Sequence, residues 1–212
     1  MLVTAVRHAE SLGNAGLSSD SNPLLSPKGE TQAELTGGHL AADGVTHVWS
    51  SPYRRAIRTA EHTARPLGLD VVIRPDMCEH HVYDDLKDFA FRPPREILAE
   101  FPFARLAGGF GESGWEPAWP ETWEHLLLRT AGVAADALKL GRSFGKKAHL
   151  VVVGHGASVK GLLRALSGED IPQDAPYVNA CVSRVRLRGR LPGKALFLND
   201  TGHLAGLERP AP

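Results

Sequence analysis

Leu150-Val151-Val152-Val153-Gly154-His155-Gly156-Ala157-Ser158 joins an unbroken apolar run to a histidine set between two glycines. Four apolar residues in succession, three of them β-branched, suit a strand buried on both faces. Beyond it Val159, Leu162, Leu163 and Leu166 recur at i, i+3, i+4 and i+7, which predicts a helix, and Gly168 is placed to stop it. The same grammar runs through the rest of the chain. Leu2–Val6 reads as a buried strand, followed by a loop rich in Gly, Ser, Asn and Pro that lasts to about Pro27. Residues 28–42 read as a helix with Ser26 as N-cap and Pro27 at N1. Thr46–Trp49 is a short strand, and Ser51-Pro52 offers a second N-cap and N1 pair for a helix over about 52–65. Val71–Ile73, Val182–Leu187 and Ala195–Leu198 complete six strand candidates.

This βαβα order predicts an α/β fold: a three-layer α/β/α sandwich around a mostly parallel, six-stranded mixed sheet. Residues 80–120 break the rhythm with five prolines, several glycines, Trp115 and Trp119, and read as an inserted cap over one end of the sheet. A helix over about 121–140 follows, with Trp123, Leu127, Ala134 and Leu138 on one face. No repeat or linker divides the chain, so residues 1–212 are expected to form a single domain.

Composition narrows the function classes. Lys+Arg and Asp+Glu both number 24, so net charge is zero and no global field favours nucleic acid or an anionic membrane. Any anion site must be a local concentration of positive groups. Two cysteines, Cys78 and Cys181, do not make a disulfide framework. The first residues lack the pattern of a signal peptide, and no apolar run approaches ~20 residues, so a cytoplasmic location is expected. Oligomeric state is not legible.

In open α/β sheets ligands bind beyond the carboxyl ends of the strands. There the sequence places Arg7-His8-Ala9-Glu10, then Ser50-Ser51-Pro52-Tyr53-Arg54-Arg55, then Met77-Cys78-Glu79-His80-His81, then Gly154-His155-Gly156. Two histidines, at least two arginines and a glutamate thus converge on one rim. Phosphoryl transfer needs these groups: an imidazole nucleophile, guanidinium forks for phosphate oxygens, helix N-terminal N–H groups, and a carboxyl to protonate the leaving oxygen. The N-terminus opened by Ser51-Pro52 is the helix end expected to serve. Glu79-His80-His81 with Asp84 and Asp85 also invites a metal reading. Adjacent histidines in an extended segment point to opposite sides, so no metal ligand set is expected there.

The constellation resembles the histidine phosphatase superfamily, with its phosphoglycerate-mutase-like fold, over nearly the whole chain. Arg7-His8-Ala9-Glu10 looks like the family's Arg-His-Gly-Glu signature, with Ala9 in place of the usual glycine, and Asn14 sits six residues past the histidine. Leu25-Ser26-Pro27-Lys28-Gly29, with Gln32-Ala33, is similar to its Leu-Thr/Ser-x-x-Gly-x-x-Gln-Ala segment. Ser51 to Ala60 resembles Ser-x-Leu-x-Arg-Ala-x-x-Thr-Ala, which makes Arg55 the matching arginine. Gly154-His155-Gly156 matches the second histidine motif, and Asn199 to Leu204 looks like a tail seen in many phosphatase members.

The resemblance implies a phosphatase that works through a phosphohistidine on His8, without cofactor or metal, on a small phosphorylated substrate. His8, Glu79 and His155 are the implied catalytic groups, and Arg7, Arg55 and Asn14 the phosphate-binding ones. His8 must be neutral and held in one tautomer; His155 is implied to be protonated. Glu112, Asp84 and Asp85 remain alternatives to Glu79 as proton donor. A mutase using the same phosphohistidine is the first rival reading. The short Ser11–Asn22 loop resembles the phosphatase branch instead. A catalytically dead member that binds phosphorylated ligands is the second rival.

Overall fold

The computed structural model describes residues 1–81, 92–112, 114–115 and 120–207. Its sheet has seven strands: β1 (Leu2–Arg7), β2 (His47–Ser50), β3 (Val71–Ile73), β4 (Ala104–Leu106), β5 (His149–Gly154), β6 (Val182–Arg186) and β7 (Lys194–Asp200). Their spatial order is β4-β3-β2-β5-β1-β6-β7, parallel from β4 to β1, with β6 and β7 antiparallel. The helices are α1 (Pro27–Ala41), α2 (Arg54–Ala64), α3 (Pro94–Glu100), α4 (Trp123–Phe144) and α5 (Gly156–Ser167).

The three layers follow from strand alternation. Along β5, Val151 and Val153 face one core with Leu40 of α1 and Ala56, Ile57 and Ala60 of α2. Leu150 and Val152 face the other, with Val133, Ala134 and Ala137 of α4 and Val159, Leu162 and Leu166 of α5. Both faces are covered, which is why the run is apolar at every position. Against the six strands read from the sequence, the seventh is β4. Together with α3 it comes from the 80–120 segment, so part of that segment extends the sheet edge. β4 is three residues long, too short to show a period of its own.

The buried stripe of α4 also differs from expectation. It is Leu126, Thr130, Val133, Ala134 and Ala137. Thr130 is tolerated there because its hydroxyl donates to Leu126 O at 2.8 Å. The N-cap of α1 is as expected, with Ser26 Oγ accepting from Gly29 N at 3.0 Å. Glycine at 29 is a packing requirement: a Cβ there would lie 1.8 Å from Glu10 O. Cys78 and Cys181 are buried free thiols. Among the described residues no helix is long and apolar enough to cross a membrane.

Candidate active site

Sheet register assembles the site. Arg7 of β1 lies opposite Gly154 of β5, so the next residue of each strand, His8 and His155, emerge side by side. His8 N donates to Gly154 O at 2.9 Å and extends the ladder one step. Their rings meet edge to face, with centroids 5.0 Å apart. Ser50 of β2 lies opposite Val153, so Ser51 joins them from the other side of β5. Beyond the turn after Ser51, the first residues of α2 bring Arg55 over both rings.

The hydrogen bonds define both tautomers. A guanidinium only donates. Arg55 Nε donates to His8 Nε2 at 3.2 Å, so that nitrogen carries a lone pair and His8 Nδ1–H donates to Ala9 O at 2.7 Å. Arg55 Nη2 lies 3.4 Å from His155 Nδ1, which accepts, and His155 Nε2–H then donates to Ser51 Oγ at 2.7 Å. Both imidazoles are neutral. Burial, then the charges of Arg55 and Arg7, hold His8 well below the ordinary histidine range. Burial first, then Arg55, His8 and Arg7, does the same to His155. His155 is therefore neutral in this structure, where Arg55 donates to it and, among the described residues, no carboxylate is hydrogen-bonded to it; the protonated form that the family resemblance implies is one with phosphate bound.

The remaining predicted residues surround this pair. Arg7 donates through Nη1 to Tyr177 O, while its buried Nε meets no acceptor among the described residues. Asn14 lies one bridge away. Its Oδ1 accepts from Ser11 N at 3.2 Å and from Asn179 Nδ2 at 3.1 Å, and that same Nδ2 donates to His8 O at 3.0 Å. Glu79 arrives from the other side. Its Oε1 accepts from His80 N at 2.9 Å and from Ala157 N, in the first turn of α5, at 3.3 Å. All six predicted residues thus border one rim.

Several other expectations change. Helix α2 starts at Arg54, two residues late, and Ser51 serves His155 in place of a cap. Its first N–H, that of Arg54, is taken by Asn22 Oδ1 at 2.9 Å, so this helix end does not offer that donor to an anion. His80 Nε2 turns to Glu121 O and His81 Nε2 to the Tyr53 hydroxyl, so the two rings diverge. Glu112 is exposed; Asp84, Asp85 and Trp119 lie outside the described residues. Trp115 is buried against Tyr53 and Phe110. His203 packs on α1, bonding Thr36 and stacking on His39. Ala9 fits because its methyl fills a small cluster with Leu25, Ala33 and Ala180.

Sequence reasoning missed Ser51, Tyr177 and Asn179 as partners of the site. It missed Asn199 too, whose Nδ2 donates to Pro176 O at 2.9 Å and fixes the segment that carries Tyr177 and Asn179. Only the tail motif around Asn199 hinted at it.

Neutral buried histidines set an acid limit on stability. Burial first, then Arg129, lowers His81 to about 4, while the unfolded value is about 6.5. Below that pH the unfolded chain binds more protons than the folded one, so stability falls with pH. His8 and His155 act in the same sense. Melting temperature should therefore hold from about pH 8 to 6.5 and then fall steadily towards about pH 4. A constant value across the lower window would contradict the burial argument.

A mostly parallel α/β sheet that presents paired imidazoles and guanidinium groups at its strand ends is the framework of a phosphoryl-transferring enzyme. The chain belongs to the histidine phosphatase superfamily (branch 1), whose family model matches residues 3–200. It is accordingly a phosphatase or mutase. The "Uncharacterized phosphatase PhoE" of Bacillus subtilis (strain 168) is 30% identical over 188 residues, 86% of each chain. The "Probable phosphoglycerate mutase GpmB" of Photorhabdus laumondii is 34% identical over 82 residues, 38% of each chain. In fold, the chain is similar to the phosphoserine phosphatase of Entamoeba histolytica, solved in complex with 3-phosphoglyceric acid. The TM-score is 0.67 at 18% identity, covering 96% of this chain and 98% of that one.

Proposed function

We propose that this chain is a phosphatase that hydrolyses small phosphate monoesters through a phosphohistidine on His8 Nε2. One observation carries the reading: a buried, neutral imidazole whose lone pair, fixed by the Ala9 carbonyl, points at an arginine shared with a second histidine. Phosphate binding draws Arg55 off that lone pair and onto the phosphoryl oxygens, joined by Arg7 Nε and the Asn14 amide. The dianion reverses the local field, so His155 takes up a proton and its Nδ1–H becomes a further donor. His8 Nε2 then attacks phosphorus as the ester P–O bond breaks, and Glu79 passes its proton to the leaving oxygen. In the second half, Glu79 accepts a proton from the water that attacks phosphorus. The P–N bond breaks, and phosphate leaves with the lone pair restored to His8. Guanidinium groups supply the positive charge, so no metal is required by this scheme. In this reading the chain is one domain; within the segment 80–120, α3 and β4 extend the sheet edge, and the expected cap falls largely outside the described residues.

Hydrolysis is favoured over mutase action by the loop after His8. Ser11–Asn22 is short and is tied back by the Asn14 and Asn22 bonds. A mutase has to keep the phosphoenzyme dry while its intermediate reorients, and this loop gives little cover. The test is a panel of phosphate esters, including phosphoglycerates, assayed for released phosphate and for isomer exchange, with and without exhaustive chelation. Phosphate release should dominate and survive chelation. Fast exchange of phosphoglycerates with little release would establish the mutase, and a loss restored by zinc, magnesium or manganese would point to a metal-dependent reaction.

A further inference from the structure

Glu79 sits on neither a strand nor a helix. It lies beyond the single turn Pro75–Met77, in an irregular segment that runs to His81. A general acid must nevertheless be held within hydrogen-bond reach of the oxygen it protonates. What holds this segment comes from the start of α4, more than forty residues away in sequence.

Arg129 is half-buried there, and all five of its N–H donors are placed. Nη1 donates to Asp76 O at 2.8 Å and to Cys78 O at 3.0 Å. Nη2 donates to Glu79 O at 3.0 Å and to Glu121 Oε2 at 2.8 Å, and Nε donates to Glu121 Oε1 at 2.5 Å. Glu121 is 4% exposed. Its backbone completes the grip: Glu121 N donates to His81 O at 2.9 Å, and Glu121 O accepts from His80 Nε2 at 3.0 Å. Four carbonyls of this segment, those of Asp76, Cys78, Glu79 and His81, are therefore bound by one guanidinium and the residue it pairs with. Buried ion pairs are often replaceable by apolar residues at no loss of stability. Stability alone is thus a weak reason for this one, whereas the direction of its donors is specific: they converge on the backbone that carries Glu79.

We infer that Arg129, braced by Glu121, is the positioning residue that aims the Glu79 carboxyl at the leaving-group oxygen. The inference rests on the reading of Glu79 as proton donor. Lysine cannot replace the fork, since an ammonium is a point charge and cannot bond three carbonyls and a carboxylate together.

The experiment is single-turnover phosphoenzyme formation by Arg129→Lys, from an alkyl phosphate and from 4-nitrophenyl phosphate, with Glu79→Gln measured in parallel. A misplacement of about 1 Å can cost about 10²-fold. The alkyl reaction should fall by that order in Arg129→Lys, and the nitrophenyl reaction, whose leaving group hardly needs a proton, by less than about 3-fold. Equal loss on both substrates, or no loss, overturns the inference while Glu79→Gln still discriminates between them. If Glu79→Gln does not discriminate, the proton-donor reading has failed and this inference falls with it. Should Arg129→Lys not fold, as judged by its thermal transition, Glu121→Gln loosens the same fork and is read by the same ratio. If neither variant folds, the pair is a folding element and the positioning role is rejected.

Discussion

His8→Ala turnover should fall by on the order of 10⁶-fold, the scale seen when an enzyme loses its covalent nucleophile. No neighbouring group can substitute. The nearest imidazole, His155, directs its lone pair at Arg55 and its N–H at Ser51. The fold should survive. His8 is buried at 3% exposure, but it sits at a strand end with its ring against the Arg55 guanidinium, the Ala9 carbonyl and the His155 ring, outside the apolar core clusters. The principal cost is the Arg55 Nε donor left without its acceptor, about 1–3 kcal/mol. The melting temperature should drop by several degrees, not collapse. Labelled substrate quenched without acid should give an acid-labile, alkali-stable phosphoenzyme in the parent and none in the variant. Turnover within about tenfold of the parent, from a folded variant, would remove His8 from the mechanism.

Glu79→Gln is expected to slow phosphoenzyme formation from an alkyl phosphate by about 10²–10⁴-fold, the usual contribution of a positioned general acid. From a nitrophenyl phosphate the same step should slow far less, because that leaving oxide departs without a proton. The substitution keeps shape and the two backbone donors: a glutamine oxygen can still accept from His80 N and Ala157 N. It removes only the transferable proton. The step has to be followed in single turnovers, since hydrolysis of the phosphoenzyme also uses this group, as base. Equal slowing with both substrates would exclude Glu79 as the acid. Glu112 would then be the first replacement to test, with Asp84 and Asp85 after it.

The sequence by itself determined six of the seven strands, the helices α1, α2, α4 and α5 to within a few residues at their ends, and the order of the site segments. These are local signals. Leu150–Val153 is apolar at every position because both of its faces are covered, and the period of Val159 to Leu166 belongs to one amphipathic helix. Ser26 marks the start of α1 through a bond to Gly29 N only three residues on. His8, Arg55 and His155 were legible because each follows a strand, and ligands in such sheets gather at strand ends.

What the sequence could not supply lies in register and in partners distant along the chain. That His8 and His155 touch depends on Arg7 lying opposite Gly154, and a one-residue shift would move either ring to the other face. β4 is three residues long and is a strand only because the edge of β3 offers it partners. Ser51 looked like a helix cap, since serine is favoured at the N-cap and proline at the first helical position, yet its hydroxyl is claimed by a histidine 104 positions later. The neutrality of His155 was not legible for a related reason: composition shows how many cations a chain has, and only packing shows that a fully buried ring sits beside two arginines. Arg129 carries no motif signal that was recognised, because its five donors meet carbonyls and a carboxylate that only the folded chain brings within reach.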